Sequence, residues 1–380
     1  MAKIGFTSNS RPTLGVEIEL GLVDERTMAL ANAFDDLAAE LGDDAAGVKH
    51  ELMQCVLEIN TGVCESVDEA EADLEAKLRR VERAADVVGL RLWWGASHPF
   101  SLWRDQRVTV DERYLGLVNL LQEMARRLIT FGLHVHVGVD SGDKAVMICD
   151  RIMRHLPTLL AMSTSSPFWE GRRTGLQSYR SKVMEGLPTA GLPTLMRNWS
   201  EYVWLVNHMV GTGFINTIRE IWWDVRPHHN FGTVEVRVCD MPGNLEHTLA
   251  LAALIQCLVR HLSDEIDNGA YQHDCHPMMV RQNKWRAARF GVEADLVDQS
   301  THETKPARAI VSQLTEVLSP TARKLGCEHW LAKGESLTRG TGWSQRQLDL
   351  HDQHGDLASV VRQLTSESRI SAAAKGGNAV

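Results

Sequence analysis

The chain lacks any stretch of about 20 apolar residues, the length a membrane-spanning helix needs, and its opening residues MAKIGFTSNSRPT have no apolar centre of the kind a secretory signal carries. A membrane association is therefore not expected, and the cytoplasm is the expected compartment. The seven cysteines (Cys55, Cys64, Cys149, Cys239, Cys257, Cys275, Cys327) are scattered and never stand in C-x-x-C spacing. That argues against a zinc ribbon or a disulfide framework and reads as reduced, buried thiols. An excess of positive charge is also missing. With a net charge of −9, general binding to nucleic acid or to anionic membranes is not expected. There is no Gly-rich P-loop, no G-x-G-x-x-G fingerprint and no G-x-S-x-G elbow, so a nucleotide site or a serine nucleophile of those kinds is excluded.

What is present is a globular composition, with 44% hydrophobic and 23% charged residues over 380 positions, enough for a sizeable core. No Pro/Gly-rich linker divides the chain and no internal repeat is visible. One domain is expected over residues 1–365, followed by a Ser-, Ala- and Gly-rich tail, 366–380, expected to be disordered. Helical patterns cover Asn32–Leu41, Asp111–Ile129, Lys144–Met162, Thr194–Val210, Leu245–Leu262, Met278–Phe290, Ala307–Leu318 and Gln345–Leu364. The clearest helix opens at Ser66, where Ser66-x-x-Glu69 spells a capping box. Its apolar stripe is Val67, Ala70, Leu74, Leu78, Val81, Ala85 and Val88, and Gly89 stops it. Extended segments are Lys49–Thr61, Arg91–Gly95 and Leu133–Val139. A hairpin from Glu220–Arg226 to Thr233–Asp240 is expected to turn through Pro227–Gly232. Strands and helices mix without regular βαβ alternation, which favours an α+β fold with an antiparallel sheet.

Three strands carry chemistry. In Leu14–Leu20, Val16, Ile18 and Leu20 take one face while Glu17 and Glu19 share the other. Two same-face carboxylates repel unless a cation sits between them. In Thr233–Val238 the valines take one face and Thr233, Glu235 and Arg237 the other. A solvated strand with one charged face would give the same pattern. In Leu133–Val139, His134 and His136 share a face, and an H-x-H pair either binds zinc or forms hydrogen-bonded core histidines. Adding Glu58, the oxygen donors outnumber the imidazoles, which suits magnesium or manganese better than zinc. Arg237 is a candidate contact for a phosphoryl group because its planar fork matches phosphate; pairing with Glu235 is its structural alternative. Arg226 and Arg180 are further candidates for phosphate or carboxylate.

The blocks TLGVEIELGLVD, KHELMQCVLEINTGVC, GASHPF, DERY, FGLHVHVG, SSPFWEG, WWDVRPHHNFGTVEVRVCD, ALAALIQCLV and NKWRAARFG resemble, in order, those of the glutamate–cysteine ligase type 2 family. More narrowly, they are similar to its bacterial YbdK-like carboxylate-amine ligase branch. The resemblance runs from about Pro12 to Gly291 and more weakly through the C-terminal helices. It implies a fold related to glutamine synthetase: an antiparallel sheet curved into a partial funnel, with helices packed outside. It also implies ATP, Mg2+ (or Mn2+), an acyl phosphate made from a carboxylate, attack by an amine, and a homodimer. By the same resemblance, Glu17, Glu19, Glu58, Glu235 and His136, in preference to His134, are metal ligands, and Arg237 serves the γ-phosphate. Where the family's hairpin turn usually carries Ser, Pro and a basic residue, this chain has His228-His229-Asn230.

The expected function is therefore an ATP-dependent carboxylate–amine ligase acting on small acids and amines, most simply glutamate and cysteine. Two other readings compete: a metal-dependent hydrolase built on His134 and His136, and a non-catalytic binding protein that keeps the fold. The hydrolase leaves Glu235-x-Arg237 without a role, and the binding protein would be favoured by loss of an acid or of the arginine.

Overall fold

The computed structural model describes residues 4–270, 276–298 and 301–370. Its main sheet uses β1 (Leu14–Asp24), β2 (Val48–His50), β3 (Val56–Asn60), β4 (Leu90–Trp93), β5 (Leu133–Gly138), β6 (Val225–His228) and β7 (Thr233–Val236). The strand order is β2-β3-β1-β5-β7-β6, with β4 pairing the far end of β1, and every pairing is antiparallel. The acidic strand β1 thus lies at the centre, with both of its edges occupied.

Period two decides what each face does. Val16, Ile18, Leu20, Leu57, Ile59, Leu133, Val135, Val137, Val234 and Val236 are all buried, and each branched side chain removed from water contributes about 1.5–3 kcal/mol. Against this side packs the helix Leu245–Asp267, buried without a break from His247 to Val259. A helix apolar on all sides belongs in a core, and this one forms the inner layer between the sheet and the C-terminal helices. Helix Val67–Val87 buries the predicted stripe from Val67 to Ala85, and Ser66 Oγ accepts the Glu69 N–H. The box is incomplete, because the Glu69 carboxylate accepts from Glu65 N–H instead.

Several boundaries differ from the sequence expectation. The helix expected over Asp111–Ile129 breaks at Gln122, whose φ of 51° ends one segment (Glu112–Leu121) and starts another (Glu123–Arg126). Lys144–Met162 divides into Gly142–Ile152 and Leu156–Ser163 around a 3-10 turn, with Pro157 placed in the first turn of the second helix. The extended segment Lys49–Thr61 is two short strands separated by a bend. In the hairpin, Pro227 and His228 belong to β6, and Gly232 (φ 64°) closes the turn where a Cβ would meet the Thr7 carbonyl. A proline is tolerated there because β6 is an edge strand, and the Pro227 carbonyl is taken by Tyr202 Oη at 3.3 Å.

The last helix runs on to Glu367. Residues 366–370 of the predicted tail are held in place: Arg369 pairs with Asp86, and the Ile370 N–H donates to Glu82. Positions 371–380 lie outside the described residues. Cys55, Cys64, Cys149, Cys239, Cys257 and Cys327 are free and buried, and Cys275 falls outside the described residues.

Candidate active site

Register turns separate sequence motifs into one surface. Across the ladders Glu19 stands opposite Glu58, Glu17 opposite His134, His136 opposite Glu235, and Glu235 opposite Arg226. Directly opposed side chains have Cβ atoms about 4.5–5.5 Å apart, so the polar face becomes a continuous field of acids, imidazoles and guanidiniums. It floors a cleft of about 710 Å³.

The acids separate into two groups. In the first, ligand atoms of Glu17, His136 and Glu235 all lie within 4.8 Å of one another. His136 Nδ1 is 3.0 Å from Thr233 Oγ1, while Nε2 is buried without a hydrogen-bond partner, 3.4 Å from Glu17 and 3.9 Å from Glu235. Burial disfavours the charged form of Glu235, but Arg226, Arg237 and His136 outweigh it and hold the carboxyl well below the usual range. For Glu17, burial is likewise outweighed, here by the neighbouring His134 and His136, which hold the carboxyl well below its ordinary value. Burial lowers the His136 pKa, yet Glu235 and Glu17 carry it above its ordinary value.

The second group is Glu19, Glu51 and Glu58, again within 4.8 Å. Burial, then the charges of Glu58 and Glu19, push the Glu51 carboxyl well above its ordinary value. Glu51 was not singled out from the sequence. It sits in the bend between β2 and β3, where no alternation marks its direction; a second acid beside Glu58 in KHELMQCVLEI was the only available signal. Glu19 also accepts the Gly132 N–H at 2.5 Å, and Glu58 accepts from Asn60 at 2.8 Å.

Both donor sets suit a hard divalent cation: carboxylate oxygens in one, two carboxylates and an imidazole in the other, with no cysteine among the cleft residues. The unpartnered His136 Nε2, its ring set from behind by Thr233, is the arrangement expected of a histidine that accepts a metal. His134 belongs to neither trio. It contacts Glu17 at 3.3 Å and Arg237 at 3.4 Å, so the two histidines share Glu17 as a neighbour while only His136 joins a three-donor group.

The three arginines stand differently. Arg237 reaches Glu235 and His134 from just beyond the end of β7. Arg226 donates to both Glu235 oxygens, at 2.7 and 3.3 Å, and to the Ile221 carbonyl at 2.6 Å, so its fork is engaged within the protein. Arg180, from a separate short helix, lies across Gly132 on the cleft side. The altered hairpin turn also lines the cleft: His228 stacks on Phe231 with ring centroids 4.1 Å apart, and His136 meets both edge-on. Burial holds the His228 pKa down at about 4, leaving that ring uncharged at neutral pH.

A family model described as glutamate-cysteine ligase family 2 matches residues 13–363. A relative from Frankia casuarinae, provisionally named glutamate–cysteine ligase 2-1, is 42% identical over 371 residues, covering 96% of this chain and 97% of the relative. One from Gloeobacter violaceus, provisionally named glutamate–cysteine ligase 2, is 41% identical over 364 residues, covering 95% and 98%. Among solved structures, the glutamate–cysteine ligase of Francisella tularensis in complex with AMP superposes with a TM-score of 0.71 at 14% identity. That match covers 96% of this chain and 90% of the other. A bifunctional glutathione synthetase from Pasteurella multocida gives 0.71 at 15% identity, covering 95% of this chain and 53% of that one. At such identities these two likenesses speak for the fold.

Proposed function

The chain belongs to glutamate–cysteine ligase family 2 and is a carboxylate–amine ligase, and we propose that it uses ATP to join the γ-carboxylate of glutamate to the amino group of cysteine. The observation that carries this reading is the pair of three-donor groups on one sheet face, with Arg237 beside them. A kinase-like activation of a carboxylate needs two things from the protein: fixed positions for a polyphosphate, and a cation at the transferring group.

Glu17, His136 and Glu235 would hold one Mg2+, and Glu19, Glu51 and Glu58 another. Bound there, magnesium would neutralise phosphate charge and draw the nucleotide and the acid together. Arg237 supplies a guanidinium kept protonated by Glu235 against the cost of its burial. Its donors suit the charge that spreads over a phosphoryl group in transfer. Arg226, fixed on Glu235, keeps that carboxylate ionised and aimed. The chain then needs no covalent nucleophile, in keeping with buried cysteines whose thiols, such as Cys55 and Cys239, burial pushes up to about 12. The family resemblance extends the proposal to a cytoplasmic homodimer.

The test is ADP release by the purified protein with Mg2+ and ATP, run against a matrix of amino acids and amines. Release that requires both glutamate and cysteine supports the proposal. A requirement for another acid–amine pair would reassign the substrates, and zinc-supported hydrolysis without nucleotide would replace the reaction.

A further inference from the structure

Outside the cleft, two thiols face each other. Cys257 lies within the core helix Leu245–Asp267, and Cys327 stands at the corner between helices Ala307–Leu325 and Glu328–Arg339. Their sulfurs are 3.4 Å apart across a sequence separation of 70. Both residues are buried, and neither lines the cleft. Cys64 and Cys239, by contrast, direct their thiols at the backbone carbonyls of Gly62 and Leu159. As packing, a buried cysteine behaves like any small apolar residue; what two facing thiols add is reactivity.

The two sulfurs are not equivalent. Cys327 is the N-cap of Glu328–Arg339, where the helix N-terminus favours a thiolate. The hydrogen bond between the sulfurs, with burial, pushes the Cys257 thiol up, and the same bond holds Cys327 below its ordinary value. A disulfide needs the sulfurs about 2.0 Å apart, so about 1.4 Å remains to be closed. The corner has room to adjust: Gly326 beside it is left-handed (φ 69°), and a Cβ there would meet nothing within 4 Å. We propose that Cys327 and Cys257 form a reversible disulfide site for small hydroperoxides, which, once closed, fastens the C-terminal helices to the core helix. The Cys327 thiolate attacks the peroxide oxygen, the O–O bond breaks, and the departing alkoxide takes up the proton Cys327 gave up. The Cys257 thiol then attacks the resulting sulfenic acid; the S–S bond forms, the S–O bond breaks and water leaves. In sum, two thiols and a hydroperoxide give a disulfide, an alcohol and water, and a small thiol reverses the link by exchange. The site is independent of the reaction in the cleft.

The test treats the reduced, folded full-length protein with hydrogen peroxide, blocks the remaining thiols and maps its peptides without reductant by mass spectrometry. A linked pair of peptides carrying Cys257 and Cys327 should appear and should vanish with dithiothreitol. The melting temperature of the linked protein should rise by roughly 5 °C, as expected for a cross-link closing a long loop in a chain of this size, and fall back on reduction. Cys257→Ala should leave a sulfenic acid on Cys327 that dimedone captures, with no rise in melting temperature. Cys327→Ala should leave Cys257 unreacted at the same peroxide concentration. Should either variant fail to fold, the peptide map and melting curve of the wild type decide alone. Absence of the linked pair, a link formed only in urea, or sulfenic acid found on Cys257 in place of Cys327 would overturn the proposal. A linked protein that melts where the reduced one does would overturn the fastening.

Discussion

Thr233 Oγ1 sits 3.0 Å from His136 Nδ1, so the opposite ring nitrogen is the one presented to Glu17 and Glu235. Partners of this kind set the tautomer and orientation of a metal-binding imidazole. Thr233→Val keeps the strand shape and removes the oxygen. Affinity for Mn2+, followed by electron paramagnetic resonance, should fall about 10- to 100-fold, with little change in the melting temperature. Unchanged Mn2+ binding would remove Thr233 from the site's support.

Glu51, Glu19 and Glu58 crowd negative charge into a buried corner, and Glu51 answers by holding its proton tightly. Glu51→Gln replaces a carboxyl that ionises only at a cost, without changing shape. Its melting temperature in EDTA should equal or exceed that of the wild type, because no third negative charge can form in this corner. Adding Mg2+ should raise the wild-type melting temperature by more than that of the variant. Equal responses to Mg2+ would show that this trio does not bind the ion.

Arg237→Lys retains a charge but loses the planar fork. If the guanidinium meets the transferring phosphoryl group, kcat should drop roughly 10- to 1,000-fold, with a smaller change in the KM for ATP. Near-normal turnover with a depressed melting temperature would instead mark Arg237 as a structural partner of Glu235.

Lys284 is 3% exposed and lies 2.6 Å from Asp224 and 2.9 Å from Glu185. The Asp224 carbonyl accepts the Arg237 N–H, so the buried lysine and its two carboxylates brace the strand end that carries Arg237. Lys284→Met leaves carboxylates without their cation and should cost about 3–5 kcal/mol. Burial lowers the lysine pKa, but Asp224 and Glu185 outweigh it and raise the value. Its contribution is therefore complete below the ordinary lysine pKa and lost only as the pH climbs through the raised one. Glu185 behaves oppositely: burial is outweighed by Lys284 and Lys182, its pKa is lowered, and its share disappears as the pH falls through that value. The penalty measured by urea unfolding should thus be flat between about pH 6 and 9 and shrink in acid. A penalty that grows in acid would contradict the pairing.

Strand faces were legible because alternation is local. Glu17, Glu19, His136, Glu235 and Arg237 each announce their side within five or six letters. What alternation cannot supply is register, which decides that His136 meets Glu235 while His134 meets Glu17. The division of the acids into two trios was therefore invisible, and so was Glu51 in its bend. Arg226 stood in the sequence as a further phosphate or carboxylate candidate behind Arg237, and only the β6–β7 pairing shows its fork closed on Glu235. The helix break at Gln122 was missed for a related reason: glutamine is an ordinary helix former, and nothing nearby advertises its positive φ.

Pro227 has a consequence for how molecules of this protein meet one another. A β-strand residue points its N–H and its carbonyl to the same side, and the Pro227 carbonyl points to Tyr202, away from β7. The outer rim of the hairpin therefore offers an incoming strand neither a donor nor a free acceptor at this position. The strand that carries Arg226, and through it steadies Glu235, is protected from edge-to-edge aggregation. A chain with alanine at 227 would regain the donor and, with it, a place for a neighbouring chain to zip on.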